Sequence, residues 1–169
     1  MPKLPQRKTL RLPNYDYSTA GVYFVTICTR DKKCLFWQTA PSAPVGAAIS
    51  RPPNAVELPA ALTAQGVIVD QAIQNIPRLY SAISVDRYVI MPNHIHILLR
   101  IEPRAANSRP YDLSTVIGQM KRWASAQCRI ALWQRSYHDH VVRGDADYRE
   151  IWQYIDTNPA RWAEDCYAP

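Results

Sequence analysis

At 169 residues, with 20 Lys+Arg against 14 Asp+Glu, the chain is sized for one ordinary domain and carries a formal net charge of +6. That balance attracts polyanions and makes nucleic acid the first partner to consider. No run of about 18 apolar residues offers a membrane span, and no apolar segment follows Met1-Pro2-Lys3 as a secretory signal requires, so a cytoplasmic, nucleoid-associated protein without a membrane partner is expected. Cys28, Cys34, Cys128 and Cys166 form no C-x-x-C pair and read as reduced thiols.

In chain order, residues 1–20 place Lys3, Arg7, Lys8 and Arg11 among prolines, which suits a basic extended arm. GVYFVTICTR, residues 21–30, is rich in β-branched and aromatic residues and reads as a central strand. Residues 39–61 crowd five prolines among alanines, the mark of a surface loop. Thr63 can N-cap a helix with Val69, Ala72, Ile73 and Ile76 on one face, stopped by Pro77. A strand from about Ser84 to Ile90 turns through Met91-Pro92-Asn93 into a third strand. Asp112 can cap a long helix with Leu113, Val116, Ile117, Met120 and Ala124 on one face. Residues 133–143 end in a short fourth strand. The last helix, capped by Asp145 or Asp147, buries the stripe Tyr148, Ile151, Trp152 and Ile155. Strand, helix, two strands, helix, strand, helix is the pattern of a single α+β domain, residues 1–169, of ferredoxin-like βαββαβ type. Its antiparallel sheet is expected to carry helices on one face, to leave the other face open, and to gain an added C-terminal helix.

All four histidines occur in H-x-H pairs, His94 with His96 and His138 with His140. Strand alternation sends Ile95, Ile97, Leu99 and Ile101 to the core and His94, His96, Leu98 and Arg100 to the opposite face. Two neutral imidazoles projecting together can reach one divalent cation, but exposed or hydrogen-bonded histidine pairs also occur on strands, and spacing alone does not separate them. If both pairs converged, the four histidines could instead build a zinc-stabilised binding module. Tyr154 lies at the flank of the last helix's buried stripe, sharing a face with Glu150 and Asn158. No G-x-x-x-x-G-K-[ST] stretch is present, so no nucleotide cofactor is expected.

PNHIHILL after a strand, WQRSYHDHVVR, YREIWQYIDTNP and the opening GVYFVTICTR together resemble the single-tyrosine HUH transposases. Within that group the similarity is to the REP-associated tyrosine transposases, over residues 10–162. The resemblance implies a transposase that cleaves and rejoins single-stranded hairpin DNA through a 5′-phosphotyrosine, acting as a monomer or homodimer. It implies Tyr154 as nucleophile, His94 and His96 as ligands of Mg²⁺ or Mn²⁺, and Asn158 as the third ligand. Asn158 precedes Pro159, which disfavours helical geometry, so Glu150 stands as the substitute ligand. Phosphate contacts are expected from Arg7, Lys8, Arg11, Lys121, Arg122 and Arg135, with bases stacking on Trp123 or Trp133. A catalytically idle hairpin-binding protein is the alternative.

Overall fold

The computed structural model describes residues 15–38, 54–56, 60–103 and 111–168. Along the chain come strand β1 (Gly21–Cys28), helices α1 (Ala64–Gln74) and α2 (Ile76–Leu79), strands β2 (Ile83–Ile90) and β3 (His94–Ile101), helix α3 (Leu113–Cys128), strand β4 (His138–Val141) and helix α4 (Gly144–Thr157). A 3-10 segment, Asn158–Glu164, continues directly from α4. The strands form one antiparallel sheet in the order β2-β3-β1-β4.

Local chemistry sets most element ends. The hydroxyl of Thr63 accepts from the Gly66 N–H at 3.1 Å, and the carboxylate of Asp112 accepts from the Ser114 N–H at 2.6 Å. These are the expected N-caps of α1 and α3. Pro77 does not stop the preceding helix; α1 has already ended at Gln74, and Pro77 opens the short α2, where its missing N–H leaves no bond unmade. The expected cap of α4 is also corrected. The cap position is Arg143, with no side-chain cap bond, and Asp145 and Asp147 lie in the first turn, where carboxylates complement the helix dipole. Asp147 reaches back to accept from the Arg143 N–H at 2.7 Å.

Alternation divides the sheet into two faces. Tyr23, Val25 and Ile27 of β1 join Ile95, Ile97, Leu99 and Ile101 of β3 against Val69, Ile73, Val116 and Ile117 of α1 and α3. The other face was expected to be open, and it is not. Val89, Met91 and Leu98 on that face pack against Ile151 and Ile155 of α4, forming a second core. Two apolar surfaces exposed to water on sheet and helix gain by covering each other, at roughly 25 cal/mol per Å². Val56 joins this second core because Asn54–Val56 runs along the outer edge of β2, with the Val56 N–H donating to the Tyr88 carbonyl at 3.0 Å. The remaining residues of the proline-rich stretch, 39–53 and 57–59, and the arm residues Arg7, Lys8 and Arg11 lie outside the described residues.

β2 carries a bulge between Val85 and Arg87. The extra residue keeps Val85 and Tyr88 on the same core and turns Asp86 toward α4. Tyr148, expected in the core, is half-buried and donates its hydroxyl to the Asp86 carboxylate at 3.0 Å.

Candidate active site

The histidine pair sits on the central strand β3, and its surroundings fix the rings. Thr26 of β1 lies opposite His96 in register, and its hydroxyl is 2.8 Å from His96 Nδ1. Asn93, in the turn before β3, places Oδ1 2.9 Å from His94 Nδ1. The amide orientation of Asn93 is set by its Nδ2, which donates to the carbonyls of Lys32 at 3.0 Å and Tyr167 at 2.7 Å. Oδ1 can only accept, so His94 carries its proton on Nδ1 and presents a lone pair at Nε2. The two Nε2 atoms face each other at 3.0 Å.

Both imidazoles are buried. Burial pushes the pKa of His94 down to about 4, partly offset by the Asp165 carboxylate, and holds His96 well below the ordinary histidine value. Both rings are therefore neutral near pH 7, the form that ligates metals. Phe24 stacks on His96 with ring centres 5.2 Å apart, and Tyr167 lies against His94 at 4.6 Å.

Helix α4 is pinned over this face by charged contacts as well as by Ile151 and Ile155. Asp86 takes Arg100 Nη2 at 2.6 Å along with the Tyr148 hydroxyl, and Arg87 Nε donates to Asp156 at 2.7 Å. In this position the hydroxyl of Tyr154 stands 3.4 Å from His96 Nε2, while the ring stays partly exposed. Burial raises the Tyr154 pKa and the Asp165 carboxylate adds to it; a hydrogen bond from Asn158 and the charge of Arg161 act in the opposite direction.

Asn158 keeps helical geometry (φ −55, ψ −44), and its N–H donates to the Tyr154 carbonyl, so the distortion expected ahead of Pro159 does not occur. Pro159 is accommodated because it starts the 3-10 segment, where its missing N–H is tolerated. Asn158 is buried one turn beyond Tyr154, and its Oδ1 has no hydrogen-bond partner. Glu150 is exposed and does not join the histidines.

Among the described residues, one group of three side chains able to hold a metal ion comes together, and it contains a residue that sequence reasoning missed. The ligand atoms of His94, His96 and Asp165 all lie within 4.8 Å of one another. Asp165 follows the 3-10 segment; one carboxylate oxygen accepts from the Tyr167 N–H at 2.7 Å and the other is 3.8 Å from His94 Nε2. A cleft of about 200 Å³ beside this group is lined by Tyr154, Asn158, Arg161 and Asp165.

Lys121, Arg122 and Arg135 line a separate cleft of about 260 Å³. Arg122 and Arg135 are exposed, whereas Lys121 Nζ donates to the carbonyls of Gln134 at 2.7 Å and Ser136 at 3.2 Å and so clamps the segment before β4. Trp123 is partly exposed; Trp133 is buried against Phe36 and is not available for base stacking, because its indole completes the core. His138 and His140 are exposed on the edge strand. His140 Nε2 pairs with Asp147 at 2.9 Å, and neither residue joins the His94 group, so the structure does not assemble a four-histidine site.

No family model matches the chain. A Haemophilus influenzae protein of no assigned function is 31% identical over 94% of this chain and 91% of its own length. A second Haemophilus influenzae protein, provisionally named a REP-associated tyrosine transposase, is 26% identical over 43% of this chain and 47% of its own length. Among solved structures, that of a REP-associated tyrosine transposase bound to a REP hairpin superposes with a TM-score of 0.61, at 21% identity, covering 90% of this chain and 73% of the other. The four-stranded sheet and its helices thus share the fold of that solved structure. The chain belongs to one family with the Haemophilus influenzae protein of no assigned function, and it is similar in fold to the REP-associated tyrosine transposase.

Proposed function

We propose that this protein cleaves and rejoins single-stranded hairpin DNA through a 5′-phosphotyrosine on Tyr154. The observation that carries the reading is the approach of the Tyr154 hydroxyl to within 3.4 Å of His96 Nε2 in the buried histidine pair. The sheet order β2-β3-β1-β4 supports a ferredoxin-like framework to which α4 adds the tyrosine. The related transposase whose structure holds a REP hairpin supports hairpin DNA as the substrate class.

The donor set suits a divalent cation: two neutral imidazoles with their Nδ1 atoms engaged elsewhere, facing Nε2 atoms 3.0 Å apart, and an Asn158 Oδ1 with no hydrogen-bond partner. His94 and His96, with Asn158, would hold Mg²⁺ or Mn²⁺, which when bound polarises the scissile phosphate and offsets charge developing on it. The phenolate of Tyr154 attacks phosphorus, the bond from phosphorus to the 3′ oxygen breaks, and that oxygen leaves and takes up a proton. A 3′-hydroxyl rejoins the strand by the reverse step. The ester conserves the bond, so no nucleotide cofactor is required. A free phenol titrates near 10, so Tyr154 depends on the Asn158 hydrogen bond and the Arg161 charge to offset the effect of burial. Arg122 and Arg135, with the partly exposed Trp123, provide phosphate and base contacts away from the cleft, joined by Arg7, Lys8 and Arg11 of the N-terminal arm.

The test is incubation with single-stranded hairpin DNA and Mn²⁺, followed by denaturing electrophoresis. A covalent protein–DNA band is expected from the parent, Tyr137→Phe and Tyr148→Phe proteins and not from Tyr154→Phe. A band that survives Tyr154→Phe and disappears with either other variant overturns the nucleophile assignment. Binding without a band across varied hairpins favours a protein that only binds.

A further inference from the structure

We infer that Asp165 supplies an anionic oxygen to the cation held by His94 and His96, so that the centre is completed by a carboxylate from the C-terminal segment. The inference rests on the metal reading above and adds a ligand that neither the H-x-H spacing nor the tyrosine helix contains.

Three groups able to ligate a cation converge here. His94 Nε2 presents a lone pair, because Asn93 fixes the proton on Nδ1. His96 Nε2 lies 3.0 Å from it, close enough for one cation to take both nitrogens. The free oxygen of Asp165 is 3.8 Å from His94 Nε2. The ligand atoms of all three residues lie within 4.8 Å of one another, so they border one small space. A lone pair and a carboxylate oxygen cannot hydrogen-bond to each other, and the Asp165 side chain is only 4% exposed. Burying a carboxylate against acceptors is unfavourable unless a positive charge lies between them.

The carboxylate is also held in place. Its other oxygen takes the Tyr167 N–H, the Tyr167 ring lies on His94, and the Tyr167 carbonyl takes Asn93 Nδ2. One residue, Asn93, thus orients both a histidine and the segment that carries Asp165. A carboxylate suits Mg²⁺ or Mn²⁺, hard ions that favour oxygen, better than an all-imidazole set does.

The test measures Mn²⁺ alone, by the loss of the free-ion electron paramagnetic resonance signal, on the full chain. Asp165→Asn is expected to weaken Mn²⁺ binding at least about tenfold, while His96→Ala abolishes it. Unchanged affinity in Asp165→Asn, with binding lost in His96→Ala, overturns the Asp165 assignment and leaves the histidine site standing. Unchanged affinity in His96→Ala overturns the metal reading itself. Asp165→Cys provides a readout independent of affinity loss: a thiolate ligand should tighten Cd²⁺ binding at least about tenfold over the parent and add a thiolate-to-cadmium absorption band. A Cd²⁺ response equal to that of the parent, with its native Cys166, counts against the proposal.

Discussion

The side chains of Asn93 and His94 share one hydrogen bond whose direction is determined by the backbone around it: two carbonyls hold the Asn93 amide nitrogen, so its oxygen accepts from His94 Nδ1 at 2.9 Å. Partners of this kind orient a ligating ring and raise its basicity. Asn93→Ala is therefore expected to lower Mn²⁺ affinity about 10- to 100-fold, measured by titration calorimetry, although Asn93 itself would not touch the ion. Affinity equal to the parent would show that packing against Tyr167 is enough to hold the ring.

The same burial makes the metal-free protein sensitive to acid. In the unfolded chain histidine binds its proton below about 6.5, whereas folded His94 stays neutral down to about 4. Between those values the unfolded state holds the extra proton, so stability present above pH 6.5 is lost as pH falls toward 4. His94 accounts for roughly 2 kcal/mol of loss between pH 7 and pH 5, and His96 acts in the same direction. Urea unfolding in the presence of a chelator should show a lower midpoint at pH 5 than at pH 7, and His94→Gln should flatten the difference. Equal midpoints in the parent would contradict the burial argument.

How much of this arrangement can be read from sequence depends on how local its causes are. The caps at Thr63 and Asp112 are hydrogen bonds within three residues, and both were legible. The division of β3 into two faces follows from alternation, and Leu98, apolar on the histidine face, already required a cover that the open-face expectation did not provide. The cover is α4, whose own stripe of Ile151 and Ile155 was legible as well; the missing step was to pair the two surfaces. Asp86 escaped notice because a bulge is decided by which neighbours must stay in register, not by the residues within it. Thr26 and Asp165 were illegible for a similar reason. One reaches His96 across a strand pair and the other approaches His94 after the chain has turned back beyond α4, and no spacing in the sequence encodes either approach.

Two glycines separate helix propensity from packing. Both lie inside helices, where alanine is the better former by up to about 1 kcal/mol. At Gly118 an added Cβ meets nothing within 4 Å, so Gly118→Ala should stabilise the protein by about that amount. At Gly66 the same atom would stand 2.5 Å from the carbonyl oxygen of Phe36 and 3.0 Å from a Leu62 methyl. That carbonyl accepts the Thr63 N–H just before α1 and cannot easily yield. Gly66→Ala is expected to destabilise by roughly 1–3 kcal/mol. Thermal unfolding should move the two variants in opposite directions, and a Gly66→Ala protein as stable as the parent would mean that the Phe36 carbonyl, paired with the Thr63 N–H, gives way easily.

Asn158 has two possible duties one helical turn from Tyr154, and one substitution separates them. As a donor to the phenol it favours the phenolate, opposing burial and the Asp165 charge. Asn158→Asp removes the donor and adds a negative charge, so the Tyr154 pKa should climb further and less phenolate should be present at any given pH. The rate of covalent adduct formation should then reach its plateau at a pH higher by about one unit or more, with Mn²⁺ saturating. If Asn158 acts chiefly through its Oδ1 as a ligand, the outcome reverses: a carboxylate there binds Mn²⁺ more tightly, and the pH profile stays where it was. Measuring the pH profile and the Mn²⁺ affinity on the same variant decides between the two, because the donor role moves the first and the ligand role moves the second.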